Sequence, residues 1–255
     1  MSEMFDLTDK TALITGGSRG LGLAIARGFA AAGANIVVVS RKRDACVNAA
    51  EAIAADHGVK TWGLGCNVSS WDQCTELARA AEELTGGIDV LVNNAGLSPL
   101  YPSLTEIGES LYDKVFDVNT KGPFRLSTLI GEAMVTRGRG SIINVSSIES
   151  IYPTANALPY AAAKAALNAI TKGLAAAFGP SVRVNTILAG PFLTDIASAW
   201  DMEAFDAMAE RSIAMRRAGE PDEIVGAAMY FASESSAFTT GASLRIDGGV
   251  VGGIL

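Results

Sequence analysis

Short apolar runs alternate with longer amphipathic segments along most of the chain. The runs TALIT (11–15) and NIVVVS (35–40) are rich in β-branched residues, and each precedes a segment with helical periodicity. The second run is almost wholly apolar, which predicts a strand that is buried on both faces of a sheet. Five further strands are predicted in VKTWGLG, IDVLVNNAG, GSIINVSS, SVRVNTIL and SLRIDGG, in this order along the chain.

The segments between these runs have the spacing of helices. The predicted helices cover residues 21–32, 43–56, 69–84, 111–137 and 159–178. Ser69 or Ser70 is the expected N-cap of the third helix. Strands that alternate with such helices form βαβ units, and right-handed crossovers place the helices on both faces of the sheet. The order therefore predicts an α/β protein with one doubly wound parallel sheet of seven strands, in a single domain over residues 1–255.

One segment interrupts this alternation. Residues 190–218 form a long insertion after the sixth strand and carry large apolar side chains. Long excursions at the carboxyl ends of parallel strands commonly carry the substrate loops of such sheets. We therefore expect this insertion to contribute to a substrate pocket.

The composition excludes several kinds of site. Of the 255 residues only His57 is a histidine, so a metal site built from several histidines is impossible, and proton transfer must rest on another side chain. Because His57 lies in AADHGVK, which is typical of a helix end, a Ser–His–Asp hydrolase is not expected. The net charge of −7 argues against nucleic acid as a partner, because proteins that bind phosphate backbones present basic faces.

The cysteines and the amino-terminal residues indicate the compartment. Cys46, Cys66 and Cys74 form no CxxC pair, which favours buried thiols in a reducing cytosol over a disulfide framework. The first residues, MSEMFDLTDK, lack the basic and apolar regions of a signal peptide. The most apolar stretch, residues 21–39, is interrupted by charged and polar residues and by glycines. We therefore expect a cytoplasmic protein with no membrane span.

A glycine-rich turn follows the first strand. Its sequence over residues 15–22 is TGGSRGLG, and glycines in such a turn let backbone N–H groups approach a pyrophosphate at the positive end of the next helix. Many βα turns use glycine only for backbone geometry, and this alternative remains open. The residues expected to contact a dinucleotide here are Gly16, Ser18, Arg19, Gly20, Leu21 and Gly22.

The end of the second strand indicates which dinucleotide is preferred. An acidic residue at this position binds the ribose 2′-hydroxyl of NAD, whereas basic residues suit the 2′-phosphate of NADP. The chain has Ser40 followed by Arg41, Lys42 and Arg43, with Arg19 in the glycine-rich turn. Cations at a helix start oppose the helix dipole, so a bound anion would relieve an unfavourable charge, although a solvated charge run is the alternative. NADP(H) is the expected cofactor, with NAD(H) as the second possibility.

Four polar residues form the expected catalytic group. Tyr160 and Lys164 are four residues apart in a predicted helix and therefore lie on one face. A nearby ammonium group lowers the pKa of a tyrosine from its usual value of about 10, which gives acid–base chemistry without histidine. Ser147 ends the fifth strand, where it can hydrogen-bond a substrate oxygen, and Asn119 is an unfavourable residue inside a predicted helix, which indicates a polar task. Each signal alone is weak, because the YxxxK spacing also arises by chance.

Together these motifs resemble those of the short-chain dehydrogenase/reductase family. The resemblance covers nearly the whole chain, including RIDGG near its end, and implies a Rossmann fold, nicotinamide-dependent hydride transfer and usually a homotetramer, with a homodimer as the smaller alternative. The matching positions are TGxxxGxG at 15–22, NNAG at 93–96, Asn119, Ser147 and Tyr160-x-x-x-Lys164.

The resemblance also implies a role for each residue. Tyr160 would donate or accept the proton, and Lys164 would bind the nicotinamide ribose and lower the pKa of the tyrosine. Ser147 would position the substrate oxygen, and Asn119 would hold a water that links Lys164 to solvent. The cofactor contacts after the fourth strand would be Asn94, Ala95 and Gly96.

The chain departs from the family pattern in two places. The family usually has Asp-Val after the third strand, where this chain has Asn67-Val68, which remain the expected adenine contacts. After the sixth strand the family usually has Pro-Gly, whereas residues 188–191 are LAGP; Gly190 matches, and Thr194 lies where the family's threonine binds the carboxamide.

Apolar side chains dominate the insertion and the loops after the fourth and fifth strands. They predict a pocket with mainly apolar walls, so the expected reaction is hydride transfer between NADP(H) and a ketone or secondary alcohol, including a 3-oxoacyl compound. A sugar or polyol is the alternative substrate class. The expected pocket residues are Ser147, Glu149, Tyr152, Phe192 and Trp200.

Two rival classes are less favoured. A non-catalytic cofactor-binding sensor on the same fold would not need Ser147, Tyr160 and Lys164 together. A methyltransferase generally has an acidic residue after the second strand, where this chain has Ser40-Arg41.

Overall fold

Seven parallel strands form one sheet in the computed structural model, which describes residues 3–194 and 201–250. The strand order β3-β2-β1-β4-β5-β6-β7 confirms the predicted doubly wound α/β sheet with its Rossmann topology. The strands are β1 (Thr11–Thr15), β2 (Asn35–Ser40), β3 (Thr61–Gly65), β4 (Val90–Asn93), β5 (Gly140–Ser147), β6 (Val182–Ala189) and β7 (Ser243–Ile246).

Helices cover both faces of the sheet. A large apolar core lies on each face, and the sheet separates the two cores. The middle residues of β2, Ile36–Val39, are fully buried, as the apolar run predicted. The helices are α1 (Gly20–Ala31), α2 (Arg43–His57), α3 (Trp71–Thr85), α4 (Glu109–Phe116), α5 (Gly122–Arg137), α6 (Leu158–Phe178), α7 (Met202–Ser212) and α8 (Val225–Ala232).

The helix predicted over 111–137 is not continuous. A π-helical segment, Asp117–Lys121, separates α4 from α5. It contains Asn119, a residue type that is unfavourable inside a helix. Segments of this kind often mark functional sites. The prediction of one uninterrupted helix was therefore wrong at Asn119. The polar character of this residue was the sequence signal for the interruption.

Local signals account well for the helix ends. Ser70, one of the two predicted caps, accepts a hydrogen bond from the amide of Gln73 at 3.4 Å and begins α3. His57 is the exposed last residue of α2, in agreement with its interpretation as a helix end. The three cysteines are buried free thiols.

The strand order reverses between β1 and β4, the two central strands that pair side by side. In open α/β sheets a crevice forms at the carboxyl ends of the strands at such a reversal, and ligands bind there. In the described residues, no helix has the length and apolar character needed to cross a membrane.

Candidate active site

The glycine-rich turn brings backbone segments into very close contact. Gly16 and Gly20 have φ values of +67° and +53°, in the left-handed region that favours glycine. A Cβ atom on Gly22 would lie 2.3 Å from the carbonyl oxygen of Gly16. The backbone alone therefore requires glycine here. Backbone geometry, the alternative that the sequence leaves open, accounts for part of the motif. The turn also leaves the start of α1 without a side-chain cap at Arg19, so its first amides face outward, as a phosphate needs.

The end of β4 is tied to this turn. The side chain of Asn94 donates to the carbonyl oxygens of Thr15 (3.0 Å) and Gly16 (3.3 Å). The backbone amides of Asn94 and Ala95 donate to the hydroxyl of Thr15 at 3.0 and 3.1 Å. Thr194, from the loop after β6, lies 3.5 Å from the position that a Cβ atom on Gly20 would occupy. The structure thus brings together predicted cofactor residues from three separate segments.

The basic residues after β2 lie beside the same turn. The hydroxyl of Ser18 donates to that of Ser40 at 3.1 Å, which joins the glycine-rich turn to the end of β2. Arg41 and Lys42 are exposed. Among the residues described, no carboxylate forms an ion pair with either side chain. The corner therefore carries positive charge that no carboxylate of the described residues neutralises.

Two further predicted cofactor residues have structural tasks of their own. The side-chain oxygen of Asn67 accepts hydrogen bonds from the amide and hydroxyl of Ser69, which shapes the turn between β3 and α3. A Cβ atom on Gly190 would lie 2.6 Å from the Cα atom of Asp247. Glycine at this position therefore lets the ends of β6 and β7 approach each other. Val68, next to Asn67, is buried.

Tyr160, Ser147 and Lys164 lie side by side. Ser147 is the last residue of β5, and Tyr160 lies in the first turn of α6. The Nζ atom of Lys164 lies 5.6 Å from the centre of the Tyr160 ring and donates to the carbonyl oxygen of Val145 at 2.7 Å. The one-turn spacing in the sequence therefore does place both side chains against the end of β5.

Asn119 holds the π-segment against the loop after β4. Its amide nitrogen donates to the carbonyl oxygens of Val115 (2.9 Å) and Leu97 (2.8 Å), and its side-chain oxygen accepts from the amide of Leu97. A Cβ atom on Gly96 would lie 3.3 Å from this oxygen and 3.8 Å from Nζ of Lys164. Asn119, Gly96 and Lys164 are therefore neighbours, and the polar task expected of the asparagine is to fasten the helix to the site.

The electrostatics of the chain alone differ from the sequence-based expectation. Burial raises the pKa of Tyr160 to about 12. The side chain of Ser147 acts to lower this pKa, and the negative charge of Glu149 acts to raise it. Burial also lowers the pKa of Lys164 to about 7. The expected lowering of the tyrosine pKa by an ammonium group is therefore wrong for the chain alone. Desolvation disfavours the charged form of both side chains.

The predicted pocket residues have different surroundings. The carboxylate of Glu149 accepts hydrogen bonds from the amide and hydroxyl of Thr154, so it is held two residues beyond Ser147. Tyr152 lies against Arg245, whose guanidinium is 5.3 Å from the ring centre. Phe192 is buried in the core, and we leave it out of the proposed pocket. Trp200 lies outside the described residues.

Three partners were not anticipated from the sequence. The hydroxyl of Thr15 organises the end of β4, Thr154 fixes Glu149, and the carbonyl of Val145 binds Lys164. Thr15 belongs to the recognised turn motif, so the motif could have suggested it. Thr154 and Val145 carry no signal in the sequence, because their roles depend on the path of the chain.

Comparison with known proteins places the chain in a family. The family model described as enoyl-(acyl carrier protein) reductase matches residues 16–251. Dehydrogenase/reductase SDR family member 4 of Pongo abelii is 36% identical over 252 residues, which are 98% of this chain and 90% of the relative. The chain belongs to the short-chain dehydrogenase/reductase family.

Other members of the family extend the comparison. Gluconate 5-dehydrogenase of Gluconobacter oxydans is 33% identical to this chain, and the match covers 97% of this chain and 97% of the relative. The solved structure of a 3-oxoacyl (acyl-carrier-protein) reductase from Agrobacterium tumefaciens C58, with NADP bound, is similar with a TM-score of 0.91 and 32% identity, over 96% of each chain. This family membership makes the protein an oxidoreductase that acts on alcohols or carbonyl compounds with a nicotinamide cofactor.

The residues present suit such a cofactor. The start of α1 without a side-chain cap, the close glycine contacts and the exposed cations after β2 fit the phosphates of a dinucleotide. When bound, the cofactor supplies or accepts the hydride. The chain's own polar groups are left to bind, orient and exchange a proton.

Proposed function

We propose that the protein transfers a hydride between NADP(H) and a ketone or secondary alcohol, with Tyr160 as its proton donor or acceptor. The observation that carries this proposal is that Tyr160 and Lys164 lie together against the carboxyl end of β5, where Ser147 ends the strand, beside Gly96 and Asn119. A sensor that only binds a cofactor does not require this arrangement.

Tyr160 supplies the proton during reduction. With a pKa of about 12, its hydroxyl is protonated at neutral pH and can donate to the carbonyl oxygen of the substrate. Ser147, at the end of β5, donates to the same oxygen and holds it in place. During alcohol oxidation the phenolate must accept the proton, so this direction depends on a much less populated form of the tyrosine.

Lys164 holds the cofactor side of the site. It is buried and anchored to Val145, which fixes its amine beside Tyr160. We propose that it binds the hydroxyl groups of the nicotinamide ribose. Asn119 keeps the adjacent helix and loop together, and the water relay toward Lys164 stays part of the proposal.

NADP(H) is favoured over NAD(H) by charge. Arg41 and Lys42 are exposed and no carboxylate of the described residues neutralises them, and Ser40 introduces no negative charge. A 2′-phosphate would bind there with charge-assisted hydrogen bonds. The NADP-bound reductase of similar fold supports this choice.

The substrate class has two candidates. The apolar residues of the insertion favour a ketone of modest polarity, of which 3-oxoacyl compounds are one kind. A sugar or polyol is favoured by one observation, the carboxylate of Glu149 two residues beyond Ser147 and near enough to raise the pKa of Tyr160, because a carboxylate accepts hydrogen bonds from hydroxyl groups. The relative named gluconate 5-dehydrogenase supports this second candidate.

A panel of ketones, sugars and acyl thioesters tests the proposal. NADPH oxidation is followed at one concentration of each compound, and we expect turnover with simple ketones to exceed that with sugars. Preference for a polyol or sugar would contradict the apolar pocket and support the second candidate. Failure of every carbonyl compound while NADPH still binds would favour the sensor.

The pH dependence tests the role of Tyr160. Below its pKa, the phenolate fraction rises about tenfold per pH unit, so we expect alcohol oxidation to accelerate from about pH 7 to about pH 10. Replacement Glu149→Gln removes a charge that raises the tyrosine pKa, so the oxidation profile should move to lower pH. Profiles of kcat for both directions measure this.

A matched replacement controls for the loss of a carboxylate. Glu51→Gln changes an exposed residue of α2, and its oxidation profile should coincide with that of the wild type. An oxidation rate that stays flat from about pH 7 to about pH 10, or a Glu149→Gln profile identical to wild type, would contradict the assignment.

We also propose a cytoplasmic homotetramer. The outward face of α6 consists mainly of small residues, including Ala162, Ala165 and Gly173, and the neighbouring α5 exposes Phe124 and Val135. Small and apolar side chains let helices of two subunits approach closely. The free buried thiols fit a reducing compartment. Sedimentation analysis tests the assembly, and a monomer would contradict it.

A further inference from the structure

The side chain of Tyr101, in the loop after β4, reaches across to the start of α6. The backbone amide of Leu158, the first residue of α6, donates a hydrogen bond to the hydroxyl oxygen of Tyr101 at 2.9 Å. The same hydroxyl donates to the carbonyl oxygen of Ala155, just before the helix. These partners are 57 and 54 residues away along the chain, so one phenol group joins two segments that end at the same edge of the sheet.

The start of α6 has no cap of its own. Ala157, the residue before the helix, makes no side-chain cap, and Pro159, in the first turn, has no backbone N–H to donate. The first amides of a helix lack partners within the helix, and a side-chain acceptor often satisfies one of them. Tyr101 supplies this acceptor from a distant segment, and it does so on the helix that carries Tyr160.

The loop after β4 contacts α6 on both sides of Tyr160. A Cβ atom on Gly96, at the base of this loop, would lie 3.8 Å from the Nζ atom of Lys164, one helical turn after Tyr160. Farther along the loop, Tyr101 binds Leu158, which precedes Tyr160 by two residues. Because these contacts lie before and after Tyr160 along the helix, the loop fixes the turn that carries the proposed proton donor.

The segment 148–157, which joins Ser147 to α6, is held differently at its other end. There the hydroxyl of Ser150 donates to the carbonyl oxygen of Ser147 and accepts a hydrogen bond from the side chain of Asn168 at 2.8 Å. Ser147 is therefore anchored without Tyr101. Loss of the Tyr101 hydroxyl should consequently move the start of α6 relative to Ser147, rather than displace both together.

The hydroxyl of Tyr101 makes its hydrogen bonds within the protein. A phenol has one proton to donate, and this proton goes to Ala155, while the oxygen accepts from Leu158. The geometry therefore favours an action through α6 over a direct contact with a substrate.

We propose that Tyr101 is a positioning residue for proton transfer by Tyr160, an inference that rests on the proposed function. Its hydroxyl fixes the first turn of α6 and so holds Tyr160 in the position relative to Ser147 that transfer to a substrate oxygen requires. Such transfers depend strongly on placement, because a displacement of about 1 Å can slow a reaction roughly a hundredfold. Tyr101 itself touches neither the substrate nor the cofactor in this role.

Replacement Tyr101→Phe tests the proposal, because it removes only the hydroxyl. We expect kcat for ketone reduction to fall about tenfold, while KM for the ketone and Kd for NADPH stay within about twofold of wild type. Tyr230→Phe is the matched control, since it also removes a hydrogen-bonded hydroxyl, and its kcat should be that of wild type. An unchanged kcat in Tyr101→Phe, or a raised KM with kcat intact, would overturn the positioning role.

A double-mutant cycle separates this role from a general loss of stability. If Tyr101 acts through Tyr160, then Tyr101→Phe should change kcat by less than about twofold when Tyr160 is already phenylalanine. An equal tenfold loss in both backgrounds would show that Tyr101 does not act through Tyr160. Full turnover of the single Tyr160→Phe variant would instead contradict the proposed function, so the two failures are distinguishable.

Hydrogen exchange tests the structural step without any turnover. In Tyr101→Phe the amide of Leu158 loses its acceptor, so deuterium uptake measured by mass spectrometry in peptides that cover residues 155–161 should become several-fold faster. Peptides of α5 should exchange as in wild type, and Tyr230→Phe should leave residues 155–161 unchanged. Exchange at wild-type rates over residues 155–161 in Tyr101→Phe would show that its hydroxyl does not hold the start of α6.

Discussion

Replacement Tyr160→Phe lowers kcat for ketone reduction by about a thousandfold, within the range that a general acid contributes. The phenyl ring still fills the space beside Lys164, but the hydroxyl that transfers its proton to the substrate oxygen is lost. Because Tyr160 lies in α6 and not in the glycine-rich turn, NADPH affinity should stay within about a factor of two of wild type. Single-turnover kinetics and NADPH fluorescence titration measure the two quantities separately.

Tyr230→Phe is the matched control. The hydroxyl of Tyr230 contacts that of Thr239 at 2.8 Å, in α8 and away from the site. Its loss should cost about 1 kcal/mol of folding free energy and leave kcat unchanged. If Tyr160→Phe keeps more than about a tenth of wild-type turnover, Tyr160 is not the proton donor.

The second large effect concerns the choice of cofactor. Replacing Arg41 and Lys42 together by serine should lower kcat/KM for NADPH by about a hundredfold, which is roughly tenfold, or 1.4 kcal/mol, for each cation. The same protein should keep its kcat/KM for NADH within about threefold, since NADH has no 2′-phosphate. Steady-state kinetics with both cofactors and one ketone give the ratio directly.

Salt and a distant cation serve as controls for this prediction. The cations are exposed, so raising ionic strength should weaken NADPH binding to wild type and have little effect on the double variant. Lys60→Ser removes an exposed cation just before β3, at the end of the sheet opposite the site, and should leave both cofactors unaffected. An equal loss for NADPH and NADH in the double variant would mean that Arg41 and Lys42 do not contact a 2′-phosphate.

Much of the fold was predictable because short apolar runs in the sequence indicate which strands are buried. The apolar middle of β2 and the Ser70 cap follow from short-range rules, and the alternation of elements fixes a doubly wound sheet. The π-segment around Asn119 was not predictable in this way. It depends on hydrogen bonds between this asparagine and Leu97, a contact across 22 residues that no local pattern contains.

The candidate site likewise combines features that follow from the local sequence with features that depend on tertiary packing. Motif spacing anticipated that Tyr160, Lys164 and Ser147 would meet, because two lie one helical turn apart and the third ends a neighbouring strand. The pKa of Tyr160 was expected to fall, yet it rises to about 12. Burial sets this value, and the depth of a side chain depends on packing from distant segments. The burial of Phe192 depends on tertiary packing in the same way.

Transfer of deuterium from NADPH labelled at C4 of the nicotinamide ring tests the central claim most directly. The wild-type protein is incubated with the labelled cofactor, in each of the two C4 configurations, and with the best ketone of the panel. The account predicts an alcohol that carries deuterium on its carbinol carbon from one of the two labelled forms. Cofactor consumption that yields an unlabelled alcohol from both forms, or no alcohol at all, would contradict hydride transfer to a carbonyl group as the function of this protein.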